Sequence, residues 1–152
     1  MTYLIDDYLK HAARNEGTCL FIDKKAPNGY YFRWGFVVAY YTALSYFNAF
    51  LLKKEYSLPT RHKQYGFQQG DVEMAIDRFC LFKEDQITSV GTQYEQLYQW
   101  SCDVRYSPKD SLLLNKSDFC TALEYLNEIK KVTKSEVGYV FKQAGGKLKR
   151  VN

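Results

Sequence analysis

Nineteen consecutive residues without a charge, Trp34 to Leu52 (WGFVVAYYTALSYFNAFLL), constrain this chain more than any other feature. A helix that crosses a bilayer needs about 20 mostly apolar residues, so the stretch is nearly long enough to span one. Its content points elsewhere. Thr42, Ser45 and Asn48 recur every third residue, and Tyr41 falls beside them at helical spacing. Those groups form one polar stripe down a helix. A helix of this kind suits the centre of a helical bundle, buried on most sides, with its stripe turned to a site or a partner. Nothing else in the chain resembles a second span, so the expectation is a cytoplasmic protein with no membrane partner.

The flanking sequence provides the rest of a bundle. Only three prolines occur, Pro27, Pro59 and Pro108, and each stands where a helix should start or stop. Proline costs about 3 kcal/mol inside a helix, so the long segments between them are free to be helical. A first helix is expected from Thr2 to Arg14 or beyond, with Leu4, Ile5, Tyr8, Leu9 and Ala12 on one face. A short helical piece through Cys19, Leu20 and Phe21 follows, then a turn at Ala26-Pro27-Asn28-Gly29. The uncharged stretch lies in a second helix, Tyr30 to Lys54, ended by Leu58-Pro59-Thr60. After a polar loop from Arg61 to Gly70, Asp71 reads as the N-cap of a helix through Phe82. Another helix is expected from Asp85 to Val104, and a last one begins at Ser117 or Asp118 and carries Phe119, Leu123, Leu126 and Ile129. The fold class is therefore all-α: an antiparallel up-and-down bundle of four or five helices over residues 1–134. Residues 135–152 form a basic tail, with Lys142, Lys147, Lys149 and Arg150 against Glu136 alone, four minus one or +3 of the chain's +4. Within it, Val137 to Phe141 could form a short strand.

The counts also limit the chemistry. The four cysteines, Cys19, Cys80, Cys102 and Cys120, form no CxxC pair, and His11 and His62 are the only histidines, so no zinc set and no metal cofactor is expected. Scattered cysteines suit small apolar packing groups in a reducing compartment. No GxSxG elbow, no GxxxxGK[ST] loop and no GxGxxG run occurs. His11 reads as a solvated helix residue. His62 sits between Arg61 and Lys63, whose charges should hold its pKa down and leave a neutral imidazole. Ser101 precedes Arg105 by four residues, which puts both on one helix face. A hydroxyl and a guanidinium together can hold a phosphate or a carboxylate. Tyr106 follows directly.

Several of these residues resemble a known family. Tyr40-Tyr41-Thr42-Ala43-Leu44 followed by Ala49-Phe50-Leu51-Leu52 is similar to the YYxAxxxxxAxL helix of HEPN-domain proteins. Arg14-Asn15-Glu16 with Trp34 resembles an RNE…W opening. Tyr94, Leu97, Ser101, Arg105 and Tyr106 look like YxxLxxxSxxxRY, and Asp118 to Lys131 looks like the last bundle helix. The resemblance covers Tyr8 to Lys131. It implies a small helical bundle related to the substrate-binding partner subunits of nucleotidyltransferases, acting as a homodimer. Ribonuclease members carry R-x4-6-H near the end of the same helix, and no arginine here precedes either histidine at that spacing. The resemblance therefore implies a bundle that is not an enzyme and that binds a nucleotide, an RNA or a protein partner. Its expected ligand-binding residues are Tyr41, Ser45, His62, Ser101, Arg105 and Tyr106, with Arg105 as the anion anchor. One alternative is a divergent metal-independent ribonuclease of a toxin–antitoxin or phage-defence system, with His62 as general base and Arg105 stabilising the phosphorane. The other is a structural, antitoxin-like dimeric subunit whose polar stripe makes the dimer seam.

Aromatic residues make up 17% of the chain, as 14 Tyr, 10 Phe and 2 Trp. Most fall inside expected helices, so they read as packing groups. Tyr41, Tyr106 and the loop residue Tyr65 remain for a ligand.

Overall fold

A helix that is apolar on nearly every side must be surrounded, and the second helix is. A computed structural model of the chain describes residues 2–25, 31–55, 58, 81–83, 86–88, 90–137, 139–141 and 148–150. Its elements in chain order are α1 (Thr2–Lys25), α2 (Tyr31–Lys53), β1 (Leu81–Lys83), β2 (Gln86–Thr88), α3 (Gly91–Tyr106), α4 (Pro108–Leu113), α5 (Lys116–Val137), β3 (Tyr139–Phe141) and β4 (Leu148–Arg150). The body is an all-helical bundle, and two short hairpins lie outside the helices. Residues 71–80 of the helix expected from Asp71 through Phe82, and the loop that carries His62 and Tyr65, lie outside the described residues.

Side-chain pairs set the direction of each helix. Tyr46 of α2 meets Glu16 of α1, and Gly35 lies against Ile22, so these two helices are antiparallel. Phe47–Tyr94, Tyr40–Tyr98 and Phe36–Trp100 ring contacts of 5.1, 5.3 and 5.4 Å run α3 antiparallel to α2. Phe36 meets Phe119 at 5.4 Å while Lys54 pairs with Glu136, so α5 is parallel to α2. Trp100 stacks on Tyr125, and Gln93 bonds Glu128, which makes α3 and α5 antiparallel. The four long helices among the described residues thus alternate up, down, up, down. Helix α2 is covered by α1, α3 and α5 and is long and apolar enough to cross a membrane, but it is mostly buried inside the bundle.

The core is built on that helix. Phe36, Ala39, Tyr40, Ala43, Tyr46, Phe47, Ala49 and Leu51 are fully buried with Leu9, Ala12, Leu97, Ala122 and Ile129. Burying each large apolar side chain contributes roughly 1.5–3 kcal/mol. Edge-to-face ring pairs such as Phe36–Trp100 and Phe36–Phe119 add about 0.5–1.5 kcal/mol each. Tyr46, fully buried, brings a hydroxyl into this core. Its hydroxyl donates to Glu16 Oε2 at 3.0 Å, and Lys130 of α5 closes on Glu16 Oε1 at 3.1 Å. One carboxylate therefore ties α1, α2 and α5 together. Burial and then the Glu16 charge push the Tyr46 phenol far above its ordinary pKa.

Two expectations change. Helix α3 starts at Gly91, because Gln86–Thr88 pair antiparallel with Leu81–Lys83 in the register Leu81↔Thr88, Phe82↔Ile87, Lys83↔Gln86. Phe82, expected to end one helix, and Ile87, expected on the face of the next, are therefore cross-strand partners. Ile87 and Thr88 are β-branched and stiff at χ1, which favours a strand over a first helical turn. Helix α1 runs on to Lys25 and absorbs the short piece expected after Arg14. At the last helix, Asn115 Oδ1 accepts from the Asp118 amide at 2.9 Å and Asp118 Oδ2 accepts from the Asn115 amide at 3.0 Å. This reciprocal cap satisfies two amides at a helix start. Helix α5 ends at Val137, and Tyr139–Phe141 then pairs antiparallel with Leu148–Arg150.

Gly35 packs directly against Phe119 and leaves no room for a side chain. A Cβ there would lie 2.5 Å from Phe119 Cε2 and 2.6 Å from Cζ, and Phe119 is itself buried. We expect Gly35→Ala to lower unfolding stability by about 1–3 kcal/mol in urea titration, through overpacking. Cys19 offers a second check. Burial pushes its thiol up to about 12, against which a hydrogen bond with Thr42 works weakly. In the unfolded chain the thiol ionises near pH ~8.5, so above that pH the unfolded state loses a proton that the folded state keeps, and stability falls as pH rises. Native Cys19 should resist iodoacetamide at pH 8 while the exposed Cys120 is alkylated, as read by mass spectrometry.

Candidate functional site

The C-terminal end of α3 supplies the cation. Arg105 suits the last turn of a helix, where the macrodipole favours positive charge. Its Nε donates to the carbonyl of Ser101 at 3.2 Å, which holds the side chain along its own helix. From there the guanidinium reaches α2. Nη1 donates to the Tyr41 hydroxyl at 3.2 Å and to the Tyr106 hydroxyl at 3.4 Å. The guanidinium carbon lies 5.7 Å from the Tyr41 ring centroid and 4.9 Å from that of Tyr106. Arg105 thus sits between two phenol rings, one half-buried on α2 and one 72% exposed at the last residue of α3.

The electrostatics of this group are lopsided. The ion pairs among the described residues are Lys54–Glu136 and Lys130–Glu16, so Arg105 has no carboxylate there. Its partners are a backbone carbonyl, two phenols and the Cys102 sulfur at 3.9 Å from Nη2. Aromatic faces hold an exposed guanidinium by about 0.5–1 kcal/mol each without neutralising it. The charge is therefore positioned by aromatic groups, with no carboxylate partner among the described residues. Beneath it, the Tyr98 phenol is pushed up by burial first and then by its hydrogen bond with Cys102.

The structure divides the residues that the sequence put together. Tyr41, Arg105 and Tyr106 form one cluster. Ser101 joins it only through its carbonyl. Its hydroxyl is fully buried with no hydrogen-bond partner, so the expected Ser101–Arg105 pair does not present a hydroxyl and a guanidinium side by side. Ser45 turns to α1, where its hydroxyl meets His11 Nδ1 at 2.8 Å and the Tyr41 carbonyl at 3.1 Å. His62 lies outside the described residues.

His11 is the residue that sequence reasoning passed over. It is exposed on α1, as its charged neighbours suggest, and its ring also bonds the buried Ser45. The available signal was Ser45 itself. A hydroxyl facing a neighbouring helix can take a second partner there besides its own i−4 carbonyl, and the antiparallel neighbour offers His11. Among the described residues no group of three or more His, Cys, Asp or Glu could hold a metal.

No family model, no curated protein and no solved structure matches this chain. Function therefore has to be argued from the geometry. For Ser101 the geometry makes a direct claim. An unpartnered buried hydroxyl costs about 1–3 kcal/mol of desolvation, so removing it relieves that cost. We expect Ser101→Ala to leave the melting temperature unchanged or raise it by about 2–4 °C. A calorimetric scan that shows marked destabilisation would mean that the hydroxyl has a partner.

Proposed function

We propose that this chain is a HEPN-like helical bundle without nuclease activity that binds a phosphate-bearing nucleotide, free or within RNA, at the Tyr41–Arg105–Tyr106 clamp. The observation that carries the reading is the guanidinium of Arg105, held between two phenol rings with no carboxylate beside it among the described residues. The up-and-down order of the long helices supports the bundle part of the proposal. So does the placement of Tyr94, Leu97, Ser101, Arg105 and Tyr106 on the single helix α3.

The clamp has the two functions that nucleotide recognition needs. A guanidinium presents a planar fork of N–H donors that matches phosphate oxygens. Its present bonds to Tyr41 and Tyr106 go to neutral hydroxyls, which a charged phosphate would displace to advantage, since hydrogen bonds to ionised groups are roughly twice as strong. Tyr106 supplies the second function. An exposed aromatic ring can stack a base whatever its sequence, at about 1–3 kcal/mol per base. Tyr41, half-buried and bonded to Nη1, fixes the direction of the fork. The roles are thus an anion anchor, a stacking ring and a positioning ring. None of them moves a proton, and the reading is of a binding module. Of the two histidines, His11 is engaged with Ser45 across α1 and α2.

Isothermal titration with a purine mononucleotide and with a short single-stranded RNA tests the proposal and separates the two sources of phosphate. Arg105→Ala should weaken binding by about tenfold or more, the loss of one charge-assisted contact worth about 1.5–3 kcal/mol. Tyr106→Ala should weaken it by about five- to tenfold through lost stacking. Equal affinity of wild type and Arg105→Ala would remove the clamp. Cleavage of labelled RNA that disappears in His62→Ala would replace the binding reading with the ribonuclease one.

A further inference from the structure

Ser45 has one hydroxyl proton, and where it goes fixes the tautomer of His11. Ser45 Oγ donates to the Tyr41 carbonyl at 3.1 Å, so toward His11 Nδ1, 2.8 Å away, it offers only lone pairs. Nδ1 therefore holds the proton of the neutral ring, and Nε2 keeps a lone pair. The Asn15 amide group lies 3.5 Å from the same Nδ1, and with its oxygen turned inward it would share that proton. His11 is exposed on α1, and its Nε2 has no hydrogen-bond partner among the described residues.

This acceptor lies one tyrosine away from the clamp. Tyr41 meets Arg105 through its hydroxyl and Ser45 through its carbonyl. Ser45 follows Tyr41 by four residues, which is about 6 Å along α2 and on the same helix face. Helices α1 and α3 each pack on α2 and make little contact with each other among the described residues. The half-buried Tyr41 is thus a floor between two walls, with Arg105 on the α3 side and His11 on the α1 side. One side offers a fixed cation and the other a neutral acceptor. A free mononucleotide with its phosphate on Arg105 and its base on Tyr106 has its sugar between those two residues, away from His11. A strand that continues across Tyr41 brings the next sugar to Nε2.

We propose that the clamp takes single-stranded RNA, and that His11 selects ribose over deoxyribose by accepting a hydrogen bond from a 2′-hydroxyl at Nε2. The inference rests on the reading of Arg105 as a phosphate anchor and names the ligand class of that same site. The 2′-hydroxyl is a donor that DNA lacks, and it is the group by which a protein distinguishes the two at a given position. Ser45 is a positioning residue. It touches no ligand, but it keeps the proton on Nδ1 and so keeps Nε2 an acceptor.

Fluorescence anisotropy with the full chain tests this, using labelled single-stranded oligoadenylate RNA and the DNA of the same sequence. Wild type should bind the RNA about three- to tenfold more tightly, the effect of one neutral hydrogen bond. The 2′-O-methyl RNA keeps the oxygen but has no proton to donate, and it should bind like the DNA. His11→Asn can still donate to Ser45 as Nδ1 does but has no atom in the place of Nε2. It should keep the wild-type melting curve and bring RNA affinity down to the DNA level. Ser45→Ala frees the ring proton to move to Nε2 and should shrink the preference for RNA. Arg105→Ala should weaken RNA and DNA alike and keep their ratio, so the anchor and the ribose contact are read separately. Equal affinity of wild type for RNA and DNA, or a preference that survives His11→Asn, would overturn the proposal and leave the clamp standing. Binding of neither strand would overturn it too, and the purine mononucleotide titration then decides whether the clamp falls with it.

Discussion

The rest of the structure depends on the burial of α2 from three sides. Once α1, α3 and α5 cover it, each polar group on it must find a partner inside the bundle or leave desolvation unrecovered. Thr42 bonds back to the Val38 carbonyl at 2.7 Å, and Ser45 reaches both the Tyr41 carbonyl and His11. Tyr46 reaches Glu16, which would be a buried lone charge without Lys130. Breaking a buried pair of this kind by removing one partner typically costs about 3–5 kcal/mol. Thr42 and Ser45 of the polar stripe are thus satisfied inside the bundle, while Asn48 Oδ1 is buried with no partner among the described residues. The Tyr46–Glu16–Lys130 contacts tie α1 and α5 to the central helix.

The aromatic residues follow the same logic. Phe36, Tyr40, Phe47 and Tyr94 are buried between helices and meet their neighbours edge-on or tilted. Large rings fill wide helix–helix gaps with few rotamers to freeze, which explains their abundance in a bundle this small. What the core leaves over is specific. Tyr41 sits at the edge of the packed region and Tyr106 lies beyond it, and the one long cation between them belongs to α3. The clamp exists because α3 ends level with Tyr41, so the last-turn arginine favoured by the helix dipole can turn onto the central helix.

Much of this was legible in the residues. The uncharged run at 34–52 demanded a surrounded helix, and the spacing of Ile5, Leu9 and Ala12 or of Phe119, Leu126 and Ile129 marked the faces that surround it, whereas Leu4, expected on the same face, is exposed. Tyr41, Arg105 and Tyr106 are three of the six residues that the family resemblance singled out, with Ser45, His62 and Ser101, and only the fold brings these three together. Ser101 could not be assigned, because i, i+4 spacing puts two residues on one helix face without saying how deep each lies. Ser101 lies at the contact with α2 and Arg105 at its margin. The hairpin at 81–88 was missed because Phe82 and Ile87 also fit a helical face. Pairing between two three-residue segments is a non-local contact, and periodicity within either one does not report it.

By itself the sequence determined that the chain is a helical bundle, which helix lies at its centre, and which residue types are left for chemistry. Those follow from local periodicity and from the free energy of burying apolar surface, and both are carried by residues near one another in the chain. The tertiary structure alone decided the partners. His11 goes to Ser45 and Glu16 to Tyr46 and Lys130, Arg105 lies between two rings, and Leu112 and Leu113 are left in the open. Each of those depends on how one helix is placed along and around another. That placement is set by the packing of whole side chains across an interface, a quantity that no single segment contains.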